Sequence, residues 1–238
     1  MQTGTTTLAT PDGDMGLYEV QPDGEGRGAV IVVQEAFGVN AHIQDVARRF
    51  AGLGYRAVAP HLFHRSGDPD LQYGDFPAVM PHMQALTEGG LLDDLDATFA
   101  HLQLAGVPAE RTAVVGFCMG GSVAFLAAAR RGFGAAVTFY GGGVAEGRFG
   151  MPPLVELAAD LRVPWLGLYG DQDGSIPVDQ VEQLRQAAAA VPGPTEVVRY
   201  PDAGHGFHCD ARPDNYDAAA AADAWQRTQD WLHRHLQG

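Results

Sequence analysis

The sequence predicts an α/β fold, a mostly parallel central sheet with helices on both faces, and three observations carry that expectation. Short apolar runs rich in Val and Ala alternate with longer amphipathic stretches along the chain. Glycines mark turns after several of the runs, as in Tyr140-Gly141-Gly142-Gly143 and Tyr169-Gly170-Asp171. The 238 residues suffice for one substantial core. No linker, low-complexity tract or internal repeat divides them, so residues 1–238 read as a single domain.

The elements follow in order. Residues 5–8 and 16–20 flank Pro11-Asp12-Gly13 and predict an antiparallel hairpin at the sheet edge. Further strands are expected at 29–34, 55–59, 112–117, 135–140, 164–169 and 196–200, with helices at 41–53, 87–104, 120–131, 177–190 and 215–236. Trp225, Trp231 and Leu232 fit the face of the last helix that packs on the sheet. Asp93, Asp94 and Asp96 read as the solvated face of another helix rather than as a metal site.

All 15 basic residues are arginine and the formal net charge is −14. Such a field repels phosphate backbones and anionic membranes, so neither nucleic acid nor membrane is an expected partner. Met1-Gln2-Thr3-Gly4 opens no basic and apolar leader, and two cysteines make no disulfide framework. These features point to a cytoplasmic protein, a monomer or small homo-oligomer, with neither metal nor cofactor expected.

The chemistry concentrates at Gly116-Phe117-Cys118-Met119-Gly120, a G-x-C-x-G element between an apolar run and a small-residue helix start. This is a nucleophile elbow carrying sulfur, with glycines removing side chains that would collide with the neighbouring strand and helix. The helix amino end directs N–H groups toward Cys118, favouring a thiolate, and the amide of Met119 is one candidate oxyanion donor.

A nucleophile needs a base, and the base an orienting acid. His205, in Gly204-His205-Gly206, follows a strand at the edge where open α/β sheets bind their ligands, whereas solvated or capping roles are expected of His42, His64, His82, His101, His233 and His235. After the strand ending at Tyr169, Asp171 and Asp173 compete for the acid. Asp173, three residues beyond Gly170, has the reach to turn toward the histidine loop and is preferred. The order Cys118, Asp173, His205 is that of the α/β-hydrolase arrangement. The loop Gln34-Glu35-Ala36-Phe37-Gly38 should lie beside the elbow, offering the Ala36 amide as second oxyanion donor and Phe37 to the pocket. Glu35 could accept the thiol proton or bond a loop amide. Tyr140 and Arg212 are further candidates for substrate contact.

With Gly54-Tyr55-Arg56-Ala57-Val58-Ala59-Pro60 and Gly204-His205-Gly206-Phe207 added, six motifs in order resemble the dienelactone hydrolase (carboxymethylenebutenolidase) family over nearly the whole chain. The resemblance implies an α/β-hydrolase that cleaves a small-molecule lactone or ester through Cys118, Asp173 and His205 and an acyl-thioester. It also implies that Glu35 holds or deprotonates the resting thiol and is displaced when substrate arrives. The chain departs from the pattern where chloroaromatic-pathway members grip a substrate carboxylate with an arginine four residues beyond the histidine. That place is Cys209, which reads as a loop thiol without a role, and no arginine lies between Arg65 and Arg111. Arg212 is the remaining candidate, and dienelactone is left unsupported as the natural substrate. The alternatives are a broad esterase or thioesterase and a non-catalytic thiol-sensing or small-molecule binding module on the same scaffold.

Overall fold

A computed structural model describes residues 1–236. Eight strands form one sheet, β1 (Gln2–Thr10), β2 (Gly13–Gln21), β3 (Ala29–Val33), β4 (Arg56–Pro60), β5 (Thr112–Phe117), β6 (Ala135–Phe139), β7 (Trp165–Gly170) and β8 (Thr195–Tyr200), in the order β1-β2-β4-β3-β5-β6-β7-β8. β1 pairs with β2, and β2 with β4, antiparallel; every later pairing is parallel. The edge hairpin is as expected but longer, nine residues to a strand. The central strands β3, β5, β6 and β7 are buried throughout, the pattern of parallel strands covered on both faces.

The helices are α1 (Ala41–Gly52), α2 (Phe76–Gln84), α3 (Glu88–Leu104), α4 (Met119–Arg130), α5 (Leu154–Leu157), α6 (Val178–Ala189) and α7 (Ala218–His235). Starts are set by side-chain caps: Asn40, Asp75, Thr87 and Asp217 each accept from the backbone N–H three residues on. Asp217 therefore begins the last helix later than the expected residue 215. α4 is buried from Met119 to Ala129, and its Gly, Ala and Ser residues let it lie close on the sheet.

Two expectations change here. Asp94 is fully buried rather than solvated, because Arg65 reaches it with Nη1 and Nη2 at 2.8 and 2.9 Å and His64 Nε2 adds a third contact at 3.0 Å. A buried carboxylate with that much compensation is stable where a lone one would not be. His64 thus serves an interior ion pair, and His42, also expected at the surface, is buried.

Candidate active site

β5 ends at Phe117 and α4 begins at Met119, so Cys118 alone makes the turn, with φ 54° and ψ −118°. A non-glycine residue there stores strain of about 1–3 kcal/mol. The glycines flanking it are sterically required. A Cβ on Gly116 would stand 1.8 Å from the Gly120 carbonyl oxygen, and one on Gly120 would stand 2.3 Å from that of Val33. The Cys118 amide bonds the Phe139 carbonyl at 3.0 Å, tying the turn to β6.

Loops from three strand ends bring the predicted residues together. Cys118 Sγ lies 3.1 Å from His205 Nε2, and His205 Nδ1 lies 2.6 Å from Asp173 Oδ2. The second oxygen of Asp173 accepts from the Ser175 amide at 2.9 Å and the Ser175 hydroxyl at 2.6 Å. The Gln172 amide bonds the Ala203 carbonyl at 2.9 Å and Asn215 holds the His205 carbonyl at 3.0 Å, so both loops are braced. The competing Asp171 instead meets Arg199 through two bonds of 2.7 and 2.6 Å.

The electrostatics follow from this packing. Burial would lower the His205 pKa, yet the Cys118 sulfur and the Asp173 carboxylate more than offset it and push it up to about 10. Burial would raise that of Asp173, but the bonds from His205 and Ser175 hold it below the ordinary range. A protonated imidazole between a carboxylate and a sulfur is the state this arrangement favours.

Ala36, Phe37 and Met119 line a cleft of about 580 Å³ beside Cys118. Neither the Ala36 nor the Met119 amide has an acceptor among the described residues, and Met119 opens a helix whose first N–H groups need partners from outside it. Phe76, Met80 and Met83 of α2 and Phe149 supply an apolar wall. α2 is not among the helices expected from the sequence. Pro77 lies within the first helical turn, where no N–H donor is needed, and Pro81 removes the donor that would meet the Pro77 carbonyl.

Arg212 lines the cleft, its guanidinium 5.6 and 5.5 Å from the Phe37 and Tyr73 ring centres. Arg148 joins it there, a residue the sequence did not single out. Neither arginine has a carboxylate partner among the described residues. Only the crossing of the loop after β6 with the cleft marks Arg148, and no local motif announces it.

Tyr140 does not line the cleft. It is fully buried behind it with φ 39°, its ring edge-on to His205 at 5.2 Å and its hydroxyl donating to Glu35 Oε1 at 3.3 Å. Glu35 is likewise buried, and the structure brings it to Tyr140 rather than to the Cys118 thiol; its Oε2 has no hydrogen-bond partner among the described residues. Cys209 is buried and unpaired with Cys118, both being free thiols. Burial and the Glu35 charge push the Cys209 thiol up to about 11. No helix among the described residues is long and apolar enough to cross a membrane.

Comparison with known proteins places these features in context. The family model described as the dienelactone hydrolase family matches residues 15–236. The chain is 41% identical over 237 residues to the "Putative carboxymethylenebutenolidase" of Salmonella typhimurium, covering 98% of this chain and 87% of that relative. It is 32% identical to the carboxymethylenebutenolidase of Rhodococcus opacus, covering 95% of this chain and 89% of that one. A crystal structure from Klebsiella pneumoniae, titled a "Putative Dienelactone Hydrolase", matches with a TM-score of 0.90 at 39% identity over 98% of both chains.

Proposed function

The chain belongs to the dienelactone hydrolase family and is an α/β-hydrolase of that type, and from this premise we propose that it cleaves a small lactone or carboxylic ester by nucleophilic catalysis at Cys118. The observation that supports the reading most directly is the continuous contact from Cys118 Sγ through the His205 ring to Asp173, opening on the cleft. Sulfur, with its proton on His205, attacks the carbonyl carbon, and the oxyanion is met by the amides of Ala36 and Met119. Collapse breaks the carbon–oxygen bond, the leaving alkoxide takes the proton from His205 Nε2, and an acyl-thioester remains. Water then attacks the thioester, giving its proton to His205, and the carboxylic acid departs as sulfur is released. Asp173 keeps the ring oriented and balances its charge. Cys118→Ala with undiminished ester turnover would end this mechanism.

Glu35 enters the proposal as a group that meets the thiol in the resting enzyme and leaves it when substrate is present. The geometry described, thiol on His205 and carboxylate on Tyr140, is the arrangement assigned to the reacting centre. Glu35→Gln should change the pH dependence of thiol alkylation; an unchanged profile removes Glu35 from the cycle.

Two arginines without carboxylate partners beside an apolar wall favour a substrate with an anionic group on a hydrophobic body. The arginine missing at position 209 is thereby answered by Arg212 of the same loop and Arg148 of the loop after β6, which brings carboxylated lactones back within reach. The apolar wall formed with Phe37 supports the second reading, a broad esterase or thioesterase for neutral acyl groups. Comparing kcat/KM on matched lactones and open-chain esters, with and without a carboxylate, separates them.

A further inference from the structure

Beside the candidate active site, three side chains from distant parts of the chain meet in the interior. Glu35 follows β3, His42 is the second residue of α1, and Cys209 lies in the loop beyond β8. One carboxylate oxygen, one ring nitrogen and the sulfur all lie within 4.8 Å of one another, and all three residues are buried. None of the proposed chemistry uses His42 or Cys209.

Among the described residues, Glu35 and His42 each keep one buried polar atom without a partner. Glu35 Oε1 is engaged by Tyr140, leaving Oε2 buried without a partner. His42 Nδ1 is engaged by Asp210 Oδ1 at 3.2 Å, leaving Nε2 buried without a partner. Asp210 is itself paired with Arg49. Buried polar groups in native proteins nearly always have partners, so two orphaned atoms on side chains clustered with one thiol call for an occupant.

We infer that Glu35, His42 and Cys209 form a binding site for a divalent transition-metal cation of the zinc class. The donor set is one thiolate, one imidazole nitrogen and one carboxylate oxygen, a mixture suited to Zn²⁺ and poorly suited to Mg²⁺ or Ca²⁺. Ligand atoms at ordinary Zn–N, Zn–O and Zn–S lengths are separated from one another by roughly 3.3–3.8 Å in a tetrahedral set. The present spacing needs to close by no more than about 1.5 Å from its upper limit. Asp210 on the far nitrogen of His42 is the carboxylate–histidine pairing that orients metal-binding imidazoles. The charge also balances: a thiolate, a carboxylate and a neutral imidazole neutralise a dipositive ion in a buried place, the thiol proton passing to solvent. The Tyr73 hydroxyl lies 3.6 Å from the Cys209 sulfur.

The test uses the full chain carrying Cys118→Ala, stripped with a chelator, so that Cys209 is the only thiol. Titration with Zn²⁺ should show one equivalent bound and a raised thermal midpoint, and Co²⁺ should give a thiolate-to-metal charge-transfer band. Adding Cys209→Ser should abolish the band and weaken Zn²⁺ at least tenfold. Asp210→Asn, a change at a half-exposed position, should weaken Zn²⁺ by about 10–100-fold while keeping the band. No binding at micromolar Zn²⁺, or a band that survives loss of Cys209, overturns the proposal, as does an affinity indifferent to Asp210→Asn. Because the readout is metal occupancy in a chain lacking the candidate nucleophile, its failure leaves the hydrolase reading untouched.

Discussion

The two cysteines are the same residue in opposite surroundings. Cys118 sits in a strained turn at the end of β5, partly exposed, with His205 Nε2 at 3.1 Å and a cleft in front of it. Cys209 is fully buried, and its sulfur meets the Tyr73 hydroxyl at 3.6 Å. A thiol becomes a nucleophile through an adjacent base and access, and burial beside a carboxylate works against it. The environment, not the side chain, separates them.

Removing the sulfur at the elbow is the sharpest way to break the contrast. Cys118→Ala should lower kcat for an activated ester by at least about 10⁴-fold, measured in single turnover so that traces of wild type are excluded. Cys118→Ser should also be severely impaired, since the imidazole is arranged to partner sulfur; activity near wild type would show that the site can activate a hydroxyl equally well.

Next comes Asp173, the proposed orienting acid. Asp173→Asn should reduce kcat/KM by about 10²–10⁴-fold. The contrasting Asp171→Asn, which loses only its pair with Arg199, should change stability and leave the contacts of His205 in place. Equal kinetic damage from both would erase the distinction between the two aspartates.

The elbow's own geometry can be probed through Gly120. A Cβ there would meet backbone oxygens of both Val33 and Gln34, which cannot swing aside as a flexible side chain could. Gly120→Ala should therefore destabilise the fold by several kcal/mol, on the order of 3, read as a drop in the denaturant midpoint. A midpoint at the wild-type value would show that β3 yields easily.

Arg148→Gln and Arg212→Gln should each raise KM for a carboxylated ester by about 10-fold while sparing its neutral analogue. Losses of equal size on both substrates would point to cleft shape rather than charge. A smaller effect concerns pH. With the His205 pKa raised from 6.5 to about 10, the stability supplied by its protonated form is complete below the ordinary value of about 6.5 and fades as pH rises through about 10. Activity that depends on the same proton should fall over that alkaline limb, and Asp173→Asn should move the limb to lower pH. Iodoacetamide completes the contrast: Cys118 should be alkylated in the native protein and Cys209 only after unfolding, followed by mass spectrometry of the peptides.

Much of this molecule was legible in its residues because the governing forces are local. Runs such as Ala29-Val30-Ile31-Val32-Val33 become buried parallel strands from composition alone, and the glycines around Cys118 announce a turn that any larger residue would block. The loops carrying Glu35, Asp173 and His205 could be named because each directly follows such a strand. Contacts across the fold were beyond that reach. Asp171 and Asp173 differ by two positions; loop reach already favours Asp173, and the placing of Arg199 and His205 opposite them supplies the partners of each. The same holds for Asp94, drawn inside by Arg65, for Arg148, delivered to the cleft by its loop, and for Glu35, turned toward Tyr140 and the His42–Cys209 pocket. Periodicity and steric exclusion act between near neighbours in the chain, so the order of the residues is enough to dictate the strands and the elbow. Charge pairing and burial act between groups joined only by folding, so the tertiary structure alone decided which of the polar side chains meet.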